Sequence, residues 1–214
     1  MKKNGILDVK YSLTQILYFA SFSALMGYAS VYLLDKGVSN SVIGTTLALV
    51  SIIAVFTQPM AASAVDKKVI RLQPLIIVIV ALAVILSLCL YFFKLPTMIL
   101  LCVFVGVVTC MMTIQPLLNS LAFLFEKYGI EVNYGLARGL GSAAYALASA
   151  VLGYLVEDFG TSMIPLFYII GNILLIVVVY TYVVPKNQRH VVHREENQHE
   201  EVKQEQLSFF QFCS

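Results

Sequence analysis

The sequence predicts an all-α membrane protein with six transmembrane helices, and three observations carry that prediction. The 214 residues are 59% hydrophobic and only 12% charged, with a mean hydropathy of +0.85, more apolar surface than a soluble domain of this size can hide. The apolar residues fall into six blocks, each long enough for the roughly 20 residues that a bilayer crossing needs. The lysines and arginines are also lopsided. With Arg138 set aside, eleven fall on one side of the blocks and two on the other.

The first block, Leu13–Leu34, follows a basic leader, Met1–Tyr11, with Lys2, Lys3 and Lys10. It is too long, and lacks a clear small-residue cleavage site, for a removable signal peptide. The second, Val42–Val65, ends on a charged turn carrying Asp66, Lys67, Lys68 and Arg71. The third is Leu72–Phe93. The fourth, Pro96–Phe125, is too long for one crossing, so its end is expected to project from the membrane, with Lys127 beyond it. The fifth is Leu136–Val156 and the sixth Ile164–Val184. Backbone groups in hydrocarbon have no water to bond, so every block should be helical.

Lys186, Arg189, Arg194 and Lys203 in the tail join the basic side, whereas Lys36 and Lys94 stand alone opposite. The positive-inside rule then puts both termini in the cytoplasm of a plasma membrane, as an even number of spans requires. The expected organisation is a cytoplasmic N-terminus over 1–11, a six-helix bundle over 12–184 and a polar cytoplasmic tail over 185–214. The net charge of +2 expresses this asymmetry and does not indicate a nucleic-acid partner.

Cys89, Cys102 and Cys110 lie inside blocks without a CxxC and read as small apolar residues. His190 and His193 form an HxxH in the tail, with His199 nearby, but that segment is too polar to build a rigid metal site. No metal, cofactor or enzymatic chemistry is expected. Lys186–Gln206 is almost entirely polar and cannot fold alone. It runs into an abruptly apolar LSFFQFCS, which looks like a longer protein cut short.

The candidate chemistry centres on Arg138. A guanidinium at a span is expensive and is normally kept where it faces a protein interior or a watery cavity. Its helical face includes Gly141, Ser142, Tyr145 and Ser149. Five donors in a rigid fork suit hydroxyls, carboxylate or phosphate, and Tyr145 offers a ring on which a sugar or base can stack. The alternative is that Arg138 snorkels to headgroups from its helix end. In the fourth block Gln115 and Asn119 share a face and either bind solute or hold helices together. Pro116, which stands between them in sequence, frees a backbone carbonyl and is expected to kink the helix. From Gly139 to Gly153, ten of fifteen residues are Gly, Ala or Ser, a surface for close helix packing.

None of the twelve acidic residues lies in the middle of a block, so a titrating carboxylate for proton coupling must lie elsewhere. No Walker motif and no TVGYG-like filter is present. Asp66 closes the second block much as Glu157 closes the fifth: Ala62-Ser-Ala-Val-Asp66 parallels Gly153-Tyr-Leu-Val-Glu157, one at each side of the membrane. A three-plus-three inverted repeat produces such a pair.

Together these residues resemble the N-terminal six-helix half of a major facilitator superfamily transporter, and most closely the oligosaccharide:proton symporter, lactose permease-like, group. Gln58-Pro59…Asp66-Lys67…Arg71 resembles the superfamily loop signature GxxxDKxGxR, with Ala62 and Val69 in place of its glycines. Tyr134-Gly-Leu-Ala-Arg138 resembles the FGRAR stretch of that group, Tyr145 falls where it has a stacking tryptophan, and Asn119 falls near its sugar-binding glutamate. An amide carries no charge to pair with Arg138, so another sugar, a nucleoside or another small polar solute fits as well. The resemblance implies a secondary transporter, one half of a bundle pair, with Arg138, Asn119, Tyr145 and Gln115 binding solute and Asp66, Lys67 and Arg71 governing conformational change. It also implies that the proton carrier lies in the C-terminal half and that the tail is the loop between halves. The chain is then expected to be inactive alone, with its partner a missing C-terminal half or a second copy. The alternative is a non-transporting structural or assembly protein of the membrane.

Overall fold

A computed structural model of the chain describes residues 2–3, 5–67, 70–127 and 130–182. The described residues are almost all helical. The first span has two pieces, α1 (Gly5–Phe22) and α2 (Ala29–Asp35), separated by one π-helical turn, Ser23–Gly27, and bent by 44°. Then follow α3 (Asn40–Asp66), α4 (Leu72–Phe92), α5 (Thr97–Lys127), α6 (Tyr134–Phe159) and α7 (Met163–Tyr180), each with a stretch long and apolar enough to cross a membrane. These six spans coincide with the six apolar blocks. The tail expected over 185–214, with His190, His193, His199 and Cys213, lies outside the described residues.

Two features depart from the sequence expectation. Helix α1 starts at Gly5, so the leader assigned to 1–11 is already helical from that residue on. Ahead of it, β1 (Lys2–Lys3) pairs in parallel with β2 (Ile130–Glu131), Lys2 opposite Ile130. Segments this short carry no alternation from which a strand can be read. The expected overlength of the fourth span is present: 31 residues of α5 reach about 46 Å, against a hydrocarbon core of about 30 Å.

Local chemistry sets the helix ends. Asn133 caps α6, its Oδ1 accepting from Leu136 N at 3.0 Å. Gly160 ends α6 at φ 85°, and Gly37 turns the chain after α2 at φ 80°, conformations that a Cβ would strain.

The packing is that of an inverted repeat. Helix α1 packs on α6 as α5 packs on α3, and α7 packs on α1 as α4 packs on α5; α4 and α7 pack on each other. Exchanging the first three spans for the last three maps this set of neighbours onto itself. The protein is therefore a multi-pass, all-α bundle of six spans with the internal plan of an inverted repeat. Its two least covered spans are symmetry mates: 22% of the spanning stretch of α3 and 17% of that of α6 is buried, against 33% for α4 and 39% for α5 and α7. The core lies among α1, α4, α5 and α7, around Tyr18, Phe104, Met111, Ile114 and Tyr168.

The end that carries both helix termini is stitched by polar bonds. Lys10 Nζ donates to Thr181 O at 3.0 Å, and Gln73 Nε2 to the carbonyls of Val179 and Tyr182 at 2.9 and 3.2 Å. Thr14 Oγ1 meets Tyr182 Oη at 2.9 Å, and Asp8 accepts from Asn133 N at 2.8 Å. Across the loops at the opposite end, Thr161 Oγ1 donates to Asp35 Oδ2 at 2.7 Å.

Candidate solute site

The site is built on α1, between α5 and α6. Helix α6 packs closely along α1, α5 meets α1 only sparsely, and α5 and α6 barely touch each other, which leaves a furrow with α1 as its floor. Tyr11, Gln15, Phe19 and Phe22 recur every three or four residues along α1 and so share one face, with Met26 following in the π-helical turn.

Arg138 is the fifth residue of α6, about 6 Å along the axis from its start. Its side chain turns toward the bundle. The guanidinium carbon lies 4.6 Å from the centroid of the Phe19 ring, an attractive cation–π arrangement. With the Gln115 amide oriented so that its oxygen meets donors, Oε1 accepts from both Nη1 and Nη2 of Arg138, each at 3.1 Å. One neutral oxygen on α5 therefore bridges two arms of a guanidinium on α6, across an aromatic ring on α1. Arg138, Gln115 and Phe19 are all half-buried, so the group is held by protein contacts and remains partly accessible. The described contacts of the guanidinium are thus with protein groups on the two neighbouring helices.

Asn119 lies one turn along α5 from Gln115. Its Oδ1 accepts from Gln15 Nε2 at 3.4 Å, and the same nitrogen donates to Tyr11 Oη at 2.9 Å. Among the described hydrogen bonds Asn119 does not reach Arg138; Gln115 does. Gln15 is 1% exposed, so its satisfied amide holds Tyr11 and Asn119 in place. The Tyr11 and Tyr134 rings lie 6.3 Å apart. Tyr145 stands two turns from Arg138 on α6, with its ring 6.1 Å from Phe22. Its hydroxyl lies over Gly27, where a Cβ would come within 3.2 Å. The furrow thus has a polar level at Arg138, Gln115 and Asn119 and an aromatic level at Phe22 and Tyr145.

The other polar residues of α5 serve packing. Pro116 cannot donate to the carbonyl of Met112, and Gln58 Nε2 on α3 takes that place at 3.2 Å. Thr113 Oγ1 meets Thr57 Oγ1 of α3 at 2.8 Å. Ser120 Oγ donates to Pro116 O on its own helix at 2.9 Å. Asp66 closes α3, Lys67 sits in the turn and Arg71 precedes α4. All three are exposed, and no ion pair joins them among the described residues. No group of His, Cys, Asp and Glu among the described residues forms a metal site.

The sequence reading passed over Gln15, Phe19 and Tyr11. Their signal was the helical spacing on the first span, broken only where the π turn resets the register.

A family model described as the MFS_1 like family matches residues 9–213. No curated protein and no solved structure matches the chain.

Proposed function

The chain belongs to the MFS_1-like family, a transporter-type membrane protein family, and from that membership we propose that it is the N-terminal half of a secondary active transporter for a small polar solute. The solute is a sugar, a nucleoside or a compound of similar polarity, held in the furrow by Arg138, Gln115 and Asn119 and stacked on Tyr145. The observation that carries the reading is the guanidinium held by Gln115 and Phe19 over α1: a costly charge, turned onto neighbouring helices and only half-buried.

Transport needs a second bundle against which this one rocks, supplied by a C-terminal half or a second copy. The sparsely covered α3 and α6 are the faces it would meet. Asp66, Lys67 and Arg71 at the α3–α4 turn would then pair across halves and bias the conformational equilibrium. Among the described residues no acid lies within the furrow, so the proton-carrying group is assigned to the second bundle. Both termini face the cytoplasm at the plasma membrane, in keeping with the cation asymmetry.

The test is Arg138→Lys in membranes containing both bundles. An ammonium cannot reproduce the fork that meets Gln115 and solute together. Uptake and solute binding should be lost while the protein still inserts. Uptake at the unaltered rate in that variant would reject the site.

A further inference from the structure

Among the described residues the partners of Arg138 are neutral. Its two described contacts are the Gln115 amide oxygen and the face of Phe19. Among the described residues the one ion pair is Lys36–Asp35, at the far end of the bundle. The nearest acids along the elements that form the furrow are Asp8, which is bonded to the backbone of Asn133, and Glu126, which is exposed two turns beyond Asn119. A guanidinium has five N–H donors. Gln115 takes two, and no described protein group accepts the remaining three. A partly buried cation with no countercharge attracts an anion more strongly than it attracts a neutral solute, because a neutral group that displaces water leaves the charge uncompensated.

We propose that the furrow binds a small soluble anion, a carboxylate or phosphate-type oxyanion, whose oxygens take the open edge of Arg138 while Gln115 and Phe19 hold the guanidinium plane. This rests on the transporter reading above and replaces its neutral solute with an anionic one. Gln115 acts as the positioning residue: it occupies two donors with a neutral oxygen and so fixes the fork without cancelling its charge. Asn119 and Tyr145 then meet the uncharged remainder of the same solute.

The test is arginine modification by phenylglyoxal on the chain as it stands, in a polyoxyethylene detergent that contains neither phosphate nor sugar. Peptide mass reports Arg138, and the exposed Arg71 serves as reference in the same molecule. Sodium acetate, sulfate and phosphate are compared with glucose and uridine at matched ionic strength. An anion present at about four times its dissociation constant should slow modification of Arg138 roughly fivefold relative to Arg71, by mass action. Glucose and uridine should not. Gln115→Glu supplies an internal countercharge and should abolish protection by anions.

Protection by glucose or uridine with none from the anions overturns the proposal and leaves the pocket standing. Protection by nothing tested, with Arg138 reactive, does the same. Arg138 unreactive while Arg71 reacts overturns the proposal and the pocket together. Protection that appears only in vesicles containing phosphatidylglycerol, without added anion, assigns the open edge to a lipid headgroup and also overturns it. Should the Gln115→Glu variant misfold, the protection measured on the unaltered chain decides.

Discussion

The α1–α6 and α3–α5 interfaces are related by the repeat, yet they are built differently. On the α1–α6 side aromatic rings settle onto glycines. A Cβ at Gly141 would lie 2.6 Å from Phe19 Cδ2, and one at Gly153 would lie 2.9 Å from Tyr28 Oη, which itself donates to Ser149 O at 2.7 Å. On the α3–α5 side amide and hydroxyl groups join the helices, Gln58 to Met112 O and Thr57 to Thr113. Among the described contacts only the first interface carries a charge. The two show that one packing plan is met by shape in one copy and by hydrogen bonds in the other. The shape solution leaves α1 an aromatic floor on which a guanidinium can rest.

That contrast predicts a division of labour. The largest effect should come from Arg138→Lys, which removes a bidentate charged contact worth on the order of 3 kcal/mol, about a hundredfold in solute affinity. Thr57→Val, at the mate interface, should leave affinity unchanged. Isothermal binding with both variants sharpens the comparison, and equal losses would break it.

Gly141→Val is next. The ring it would strike is hemmed in by Tyr18 at 5.3 Å, by Phe22 at 6.5 Å and by the guanidinium, so it cannot swing away freely. Overpacking of this kind costs roughly 2 kcal/mol. It also moves Phe19 from beneath Arg138, so a lowered melting temperature and weaker solute binding should appear together. A stable variant with intact binding would show that Phe19 is not the support inferred.

Most of the architecture was legible because its physics is coarse. Apolar blocks of membrane length have to be helices, and all six fell where the hydropathy placed them. Arg138 was legible because a charge in a span is costly. Its partner was not. Gln115 and Asn119 share a face of α5, and which of them meets Arg138 depends on a turn of about 5.4 Å along the axis, set by how deeply α5 sits against α1. The bend at Ser23–Gly27 was also hidden. No proline marks it, and a π turn inserts a residue that blurs the apolar period. The β1–β2 pairing joins residues more than a hundred positions apart, which no local pattern announces.

The remaining predictions concern the hydrogen-bonded interface. Gln58→Leu leaves Met112 O, the carbonyl that Pro116 orphans, without its donor and should cost about 1 kcal/mol. In a Pro116→Ala background the restored backbone N–H takes that carbonyl, so the same change should cost close to nothing. A double-mutant cycle on thermal unfolding reads the coupling, and an additive pair would mean that Gln58 serves some other purpose.

Thr57→Val should have the smallest effect. Thr113 Oγ1 donates its single proton to Thr109 O at 2.8 Å, so Thr57 is the donor in the Thr57–Thr113 bond. Removing it leaves Thr113 still bonded to its own helix and exposes no buried donor. Interhelical bonds of this kind average about 0.6 kcal/mol, and the Val methyl replaces the hydroxyl at nearly equal volume. A loss of several times that size in thermal unfolding would show that the α3–α5 interface relies on this bond far more than its geometry implies.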